Sequence, residues 1–346
     1  MPFLSVALRI AIMSTTAGLP LLYESWANEL LGAPIPPETG ATCASCAMVP
    51  ETPEDGPGFR ATLKCCTYMP RLWNFLVGAI LLDEDPEAAA GRASIEARMH
   101  DTAAATPLGL MRDSAYDAMY DMSGSFGNDG RLLCPHYVDE RGGICGIWRY
   151  RESTCTTYYC KFNRGAVGAA FWAQLKQVLL LAEQSLSAWC AVQLGVRQDP
   201  MAEWGEWRGR ESEFFRECAR LVERLAWSDV VAVGGAELSA AAELTRAAFA
   251  RLLSSVDPER PKTALVQIKP RGPGRVRLST YSGTDPMDAP TELANLLPYF
   301  DGRPMDEVLS EIRRREKISI HPSLVRKLID FGVLTDAASE HPSKTS

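Results

Sequence analysis

AVGAAFWAQLKQVLLLAEQSLSAWCAVQL, residues 166–194, is the longest periodic stretch in the chain. Phe171, Leu175, Val178, Leu179, Ala182, Leu186 and Trp189 recur at spacings of three and four. That spacing places them on one face of a long amphipathic helix. Two more helical patterns follow, at about 207–227 and 237–255. Upstream, Leu21 to Leu31 reads as a helix. PRLWNFLVGAILLD, residues 70–83, is apolar on most faces and opens with Pro, as a buried helix with Pro in its first turn does. Residues 83–105 are charged and Ala-rich, again helical. Pro, Gly and acidic residues mark 49–60 as a loop, and DMSGSFGNDGR, 121–131, is turn-forming. The expected fold class is therefore mainly α.

The composition changes at DPERPK, 257–262. TALVQIKP and RVRLSTYSG then read as short strands joined by the turn RGPG. Three helical patterns follow, TELANLLPYF, MDEVLSEIRRRE and PSLVRKLIDFGVL, each opening with a cap residue or Pro. Leu297, Phe300, Val308, Ile312, Val325, Leu328 and Val333 are the expected core of a small α+β, winged-helix-like module. With 346 residues the chain is long enough for about two domains at roughly 150 residues each. We expect a helical cysteine-cluster domain with irregular metal-binding loops over 1–260, the small module over 261–336, and a disordered tail over 337–346.

Apolar residues make up 46% and charged residues 23%, which excludes a wholly disordered chain. A net charge of −7 argues against a protein that coats nucleic acid. No run of uncharged apolar residues reaches the roughly 18 needed for a membrane span. The first twenty residues lack a basic leader region and Arg9 interrupts their apolar run, so a secretion signal is not expected, and Met13 serves as well as Met1 as a start. The expected location is cytoplasmic. The local basic run Arg313-Arg314-Arg315 with Lys317 fits a solvated helix end, where cations favour the dipole.

Ten cysteines are the unusual feature, and eight lie between Cys43 and Cys160. Their order is Cys43-x2-Cys46, Cys65-Cys66, Cys134-x-His136, Cys145 and Cys155-x4-Cys160. A chain this long needs no disulfide staples, and dense cysteine in a reducing compartment points to metal. A Cys-x2-Cys pair lets two thiolates grip one ion from a tight turn. Adjacent Cys65 and Cys66 strain toward one tetrahedral ion, so they fit two metals or a wider cluster better. Arg131, Arg141, Arg149, Arg151, Lys161 and Arg164 outnumber Asp139, Glu140 and Glu152 in the same stretch, with Lys64 and Arg71 beside the central pair. Such cations and backbone N–H groups stabilise the negative charge of a thiolate-bound centre. Tyr137, Trp148, Tyr150, Tyr158 and Tyr159 are candidates for a dry shell around it. His136 is either a nitrogen ligand or a hydrogen-bonding residue. Cys190 and Cys218, on later helices, read as core thiols.

The segment LCPHYVDERGGICGIWRYRESTC, 133–155, resembles the signature of the YkgJ-type cysteine-cluster family, a zinc- or iron-chelating domain. The matching pieces are Cys134-Pro135-His136-Tyr137, Cys145-Gly146-Ile147-Trp148 and Arg151-Glu152-Ser153-Thr154-Cys155, with Cys43-x2-Cys46 and Cys65-Cys66 upstream. There are three departures: an insert between Cys46 and Cys65, Glu152 where the family has Pro, and the extra Cys160. The resemblance implies metal chelation with Cys43, Cys46, Cys65, Cys66, Cys134, Cys145, Cys155 and Cys160 as ligands. It leaves a [4Fe–4S] iron-sulfur cluster and zinc open, with the cluster favoured because eight thiolates exceed what one zinc needs. Flagellin lysine-N-methylases carry a similar cysteine cluster. LLPYFDGRPMDEVLSEI with LVRKLIDFGVL resembles the helical half of PqqD-type modules, which bind leader peptides by strand addition.

Three functions follow as expectations. The first is a metal-binding protein with a redox, structural or metal-handling role. The second is a peptide- or protein-modifying enzyme that holds its substrate, a peptide or protein partner, through 261–336. The third is a zinc-stabilised DNA-binding regulator. No glycine-rich nucleotide loop follows a strand, GAVG at 165–168 being too short, and no Ser–His–Asp pattern is present, so no catalytic residue is assigned.

Overall fold

A computed structural model of the chain describes residues 18–38, 46–50, 58–101, 104–139, 143–196, 204–254 and 257–337. The expected ligand Cys43, the alternative start at Met13 and tail residues 338–346 lie outside the described residues. The chain is mainly α, with small antiparallel sheets. It divides into two compact units. The first takes the described residues up to Tyr158 together with Leu175–Leu244; the second takes Tyr159–Gln174 and the described residues from Thr245 on. The described residues of 245–260 cluster with the second unit.

In chain order the first stretch holds α1 (Leu21–Leu31), β1 (Leu72–Trp73), α2 (Asn74–Leu82), α3 (Ala89–Met99), β2 (Ala105–Thr106), β3 (Gly109–Leu110), α4 (Ser114–Tyr120), β4 (Tyr137–Val138), β5 (Ile144–Cys145) and α5 (Ser153–Thr157). The long helices α6 (Gly165–Gln193), α7 (Glu211–Glu223) and α8 (Trp227–Leu253) follow.

Helix α2 begins four residues later than Pro70 suggested. Leu72 and Trp73 instead pair with Leu110 and Gly109 as a strand. Asn74 then fixes the helix start: its Oδ1 accepts from Phe75 N at 2.7 Å, and its Nδ2 donates to Pro107 O and Ser187 O, each at 2.9 Å. Helix α2 is buried on nearly every side, as its unbroken apolar sequence implies. Gly78 is its point of closest approach to α7, since a Cβ there would lie 1.8 Å from Phe215 O. On α7, Phe214, Phe215, Cys218, Ala219 and Val222 form the buried stripe. Cys190 and Cys218 are wholly buried, with Cys190 Sγ 3.8 Å from Cys218 O.

Helix α8 starts at Trp227, ten residues before the periodic pattern that announced it. Gly235 interrupts it with φ 66° and ψ −149°, a conformation open to glycine. Two successive glycines also weaken helix propensity, so the pattern before 237 is hard to read. Helix α6 is the one described helix long and apolar enough to cross a membrane by length and composition. Its buried positions are Phe171, Trp172, Leu175, Val178, Leu179, Ala182, Leu186 and Cys190, the pattern of a core helix. Trp189 is only half-buried, and Trp172 takes its expected place in the core.

The second unit contains β6 (Pro261–Thr263), β7 (Gln267–Pro270), β8 (Arg275–Ser279), β9 (Met287–Pro290), α9 (Thr291–Leu296), α10 (Met305–Glu316), α11 (Pro322–Asp330) and β10 (Leu334–Asp336). The expected hairpin is present, with Gln267 opposite Ser279 and Pro270 opposite Val276. Strand β9 adds to β8 in an antiparallel sheet of order β7-β8-β9, and β6 pairs with β10. All seven core residues expected here are buried, together with Val276, Leu278, Met287 and Ala289 from the sheet. The first turn of α6 belongs to this unit: Arg164 Nε donates to Asp330 Oδ2 at 3.0 Å, and Phe171 meets Phe249 with ring centroids 5.5 Å apart.

Candidate metal centre

Four separate segments of the first unit carry five of the expected ligands into one neighbourhood. Cys65 and Cys66 occupy a tight 3-10 turn, Lys64–Thr67, entered through a left-handed Lys64 at φ 53°. Thr67 anchors the turn. It is wholly buried, its Oγ1 accepts from Gly127 N at 2.6 Å, and its carbonyl accepts from Tyr116 Oη at 2.7 Å. Cys134 is joined directly to this turn, because its N–H donates to Cys66 O at 2.7 Å. Past the Cys-Pro-His turn, β4 pairs with β5 so that Tyr137 lies opposite Cys145. Cys155 rides on the five-residue helix α5, capped by Glu152, whose Oε1 accepts from Cys155 N at 2.9 Å and whose Oε2 accepts from Thr154 N at 2.5 Å.

The thiols feel one another's charge. Cys66 is pushed up first by its hydrogen bond to Cys65, then by burial and by the charges of Cys65, Cys145 and Cys134. Cys65 is lowered to about 7, chiefly by the hydrogen bond from Cys66, with Arg151 and Lys64 adding to it. Burial pushes Cys134 up to about 12, with Cys145 and Cys65 contributing and Arg98 opposing. Cys155 is raised well above an ordinary thiol, by burial and then by Glu152, Cys134 and Cys145. Cys66, Cys134 and Cys155 therefore keep their protons unless a cation joins them. Among the described residues, no three His, Cys, Asp or Glu close around a common point where an ion would sit. The donor chemistry, five thiols in one field, suits a soft metal centre.

Two of the remaining expected ligands, Cys46 and Cys160, are half-buried, and Cys160 belongs to the second unit. All nine described cysteines are free thiols.

Two cations are buried beside these thiols. Lys64 is 7% exposed and its Nζ reaches Gly143 O at 3.4 Å. Arg98 is 8% exposed on α3, a helix whose charged sequence gave no hint of burial. Its Nη2 donates to Met111 O at 2.9 Å and its Nη1 lies 3.4 Å from His136 Nε2. No carboxylate among the described residues forms a close ion pair with Arg98; its charge acts on Cys134 and then on Asp101.

His136 has both ring nitrogens engaged. Arg98 has only hydrogens to offer, so Nε2 accepts. Nδ1 therefore carries the proton and donates to Ser94 Oγ at 2.7 Å, and Ser94 in turn donates to Gly91 O at 2.7 Å. Burial and then the charge of Arg98 push the imidazole down to about 3, so it is neutral. Both ring nitrogens of His136 are thus taken up in hydrogen bonds.

The aromatic surround differs from expectation. Tyr68 meets Tyr120 at 5.6 Å, Tyr120 meets Phe126 at 5.9 Å, and Phe126 meets Tyr158 at 5.6 Å. Trp148 is 43% exposed with Arg151 over its ring at 3.5 Å, and Tyr150 donates to Asp83 at 2.9 Å. Tyr159 packs on Trp172 in the second unit, at 4.5 Å.

The sequence reading missed Glu183 of α6. It is wholly buried and accepts from Tyr23 Oη, from Trp73 Nε1 at 3.0 Å, and from Ser153 N at 2.7 Å and Oγ at 2.6 Å. Burial first, then the charge of Glu152, push it up to about 8 against its hydrogen bonds. The available signal was a lone acid four residues after Leu179, inside an otherwise apolar face.

Comparison with protein-family models, curated proteins and solved structures gives no match for this chain.

Proposed function

We propose that this chain is a metal-binding protein built around a cysteine-ligated centre, with an iron-sulfur cluster favoured over zinc. Cys65, Cys66, Cys134, Cys145 and Cys155 of the first unit would hold the metal, with Cys43 and Cys46 as further candidate ligands. The observation that carries this reading is the mutual field of five thiols from four chain segments, with buried Arg98 acting on the same group. Buried charge is costly unless compensated, and a buried guanidinium whose charge acts on Cys134 is suited to a negatively charged thiolate–metal assembly. Adjacent Cys65 and Cys66 favour a multinuclear cluster, which offers separate iron atoms to neighbouring sulfurs. When bound, such a cluster supplies one-electron redox capacity or rigid cross-linking. The chain's own part is to gather the thiols and flank them with the Tyr68–Tyr120–Phe126–Tyr158 ring contacts. The YkgJ-type resemblance points the same way.

Anaerobic purification with iron, sulfide and zinc analysis tests this reading. We expect iron with acid-labile sulfide and a brown charge-transfer band. Stoichiometric zinc without colour would replace the cluster by zinc, and protein free of both metals would remove the proposal.

A second reading has one observation in its favour. Strand β7 is the outer strand of its sheet and all four of its residues are exposed, Ile268 at 47%, with Leu265 just before it exposed at 98%. An open edge of this kind accepts an added strand. It supports the PqqD-like module as a peptide holder for a protein-modifying enzyme, and binding of S-adenosylmethionine would favour a lysine-N-methylase-like activity.

A further inference from the structure

We infer that Glu183 is the positioning residue for Cys155, setting where that sulfur stands relative to Cys65, Cys134 and Cys145. The inference rests on the thiol-centre reading above. Helix α5 has five residues, Ser153–Thr157, far below the roughly 12–15 at which a helix holds itself in water. Its orientation must come from what grips its ends. At its N-terminus Glu152 satisfies the N–H groups of Thr154 and Cys155, but that grip is internal to the segment.

Arg151 donates to Cys155 O at 3.3 Å and Tyr68 bonds the Thr154 side chain, but the hold on the helix's first residue is Glu183. Both hydrogens of Ser153, on N and on Oγ, go to this one carboxylate, at 2.7 Å and 2.6 Å. The same carboxylate takes Tyr23 Oη from α1 and Trp73 Nε1 from β1. It therefore ties three otherwise separate elements to α6 at one point, two residues before Cys155. Ser153 Oγ also lies 3.3 Å from Glu152 Oε2, so the hydroxyl stands between the two buried acids and fixes the cap as well. No Lys or Arg among the described residues pairs with Glu183. A wholly buried acid with several donors and no cation is costly to keep and serves orientation rather than surface charge.

The test is alkylation mapping of the full chain, stripped of metal and reduced, with iodoacetamide and peptide mass spectrometry. Cys155 is read against Cys134 as an internal reference, and metal per chain is measured on a separate as-purified sample. Glu183→Ala should raise Cys155 labelling about tenfold relative to Cys134, reporting local opening of α5. Glu183→Gln keeps the shape and an accepting oxygen and should stay within about twofold of wild type. Trp73→Phe removes a hydrogen bond from the same carboxylate without touching α5 and should also leave the ratio unchanged. Should Glu183→Ala fail to fold, Ser153→Ala provides the reading, with a smaller rise expected at Cys155. An unchanged ratio in both variants, or an equal rise at Cys134, would overturn the assignment, because general loosening exposes both thiols alike. Wild-type protein purified without metal would instead defeat the thiol-centre reading, while the labelling ratio would still decide the role of Glu183.

Discussion

Replacing Gly78 by alanine is the sharpest test of how α2 and α7 pack. In a helix interior, Gly→Ala ordinarily stabilises by about 1 kcal/mol through helix propensity. Here the new methyl carbon would lie 1.8 Å from Phe215 O and 3.0 Å from Ala219 Cβ. A carbon–oxygen contact settles near 3.3 Å, so the helices must part locally by roughly 1.5 Å. The atom in the way is backbone and no side-chain rotation relieves it. A gap of even 0.5–1 Å forfeits about a quarter to a half of the local dispersion attraction. Overpacking of this kind costs about 1–3 kcal/mol, and a clash this close with backbone belongs at the upper end; with the propensity gain of about 1 kcal/mol set against it we expect a net loss of about 2 kcal/mol. For a unit of this size the midpoint should fall by about 4–8 °C. Thermal unfolding followed by circular dichroism measures it. An unchanged or raised Tm in Gly78→Ala would refute the close approach, since the sign itself differs between the two cases.

The other predictions concern the centre and the second unit. Cys134→Ser should lose bound metal and lower the melting temperature of the as-purified protein, because binding energy of a structural centre is folding energy; unchanged metal content and melting would count against Cys134 as a ligand. Arg164→Met leaves Asp330 without its cation in a mostly buried setting and should cost about 2–4 kcal/mol, read by urea unfolding; a loss below about 0.5 kcal/mol would place the pair among ordinary surface ion pairs. Glu183 has a folded-state value near 8, above the ordinary carboxyl value of about 4.3. Its proton-linked stability is thus fully present below pH ~4.3 and is lost as pH rises toward 8. The stability of wild type relative to Glu183→Gln should therefore decline between pH 5 and 8, and a flat difference would show that the acid is ionised throughout.

Long amphipathic elements were readable because their period repeats several times. The faces of α6 and α10 and the seven core residues of the second unit follow from spacing alone. The strands β1 to β5 were not, since two residues carry no period and their pairing is set by tertiary contact. That is also why α2 starts at Asn74 rather than near Pro70. At the candidate centre, the identity of the sulfur atoms was visible but their grouping was not. Nothing in the interval between Cys66 and Cys134 announces that Cys134 N will bond Cys66 O. Arg98 was hidden in a helix of charged and alanine residues that looks solvated, and the state of His136 depends on Ser94 and Arg98, both distant in sequence. Glu183 left a trace, an acid on an apolar face, whereas the role of Ser153 became apparent only through its two bonds to that acid.

The division of α6 between the two units has a consequence for synthesis. Residues 159–174 leave the ribosome before 175–244, yet they join residues from 245 onward. Neither unit is therefore complete when its first segment emerges: the earlier one waits for Leu244, and the later one begins before its neighbour is finished. Vectorial folding, each body closing before the next is made, is unavailable to this chain.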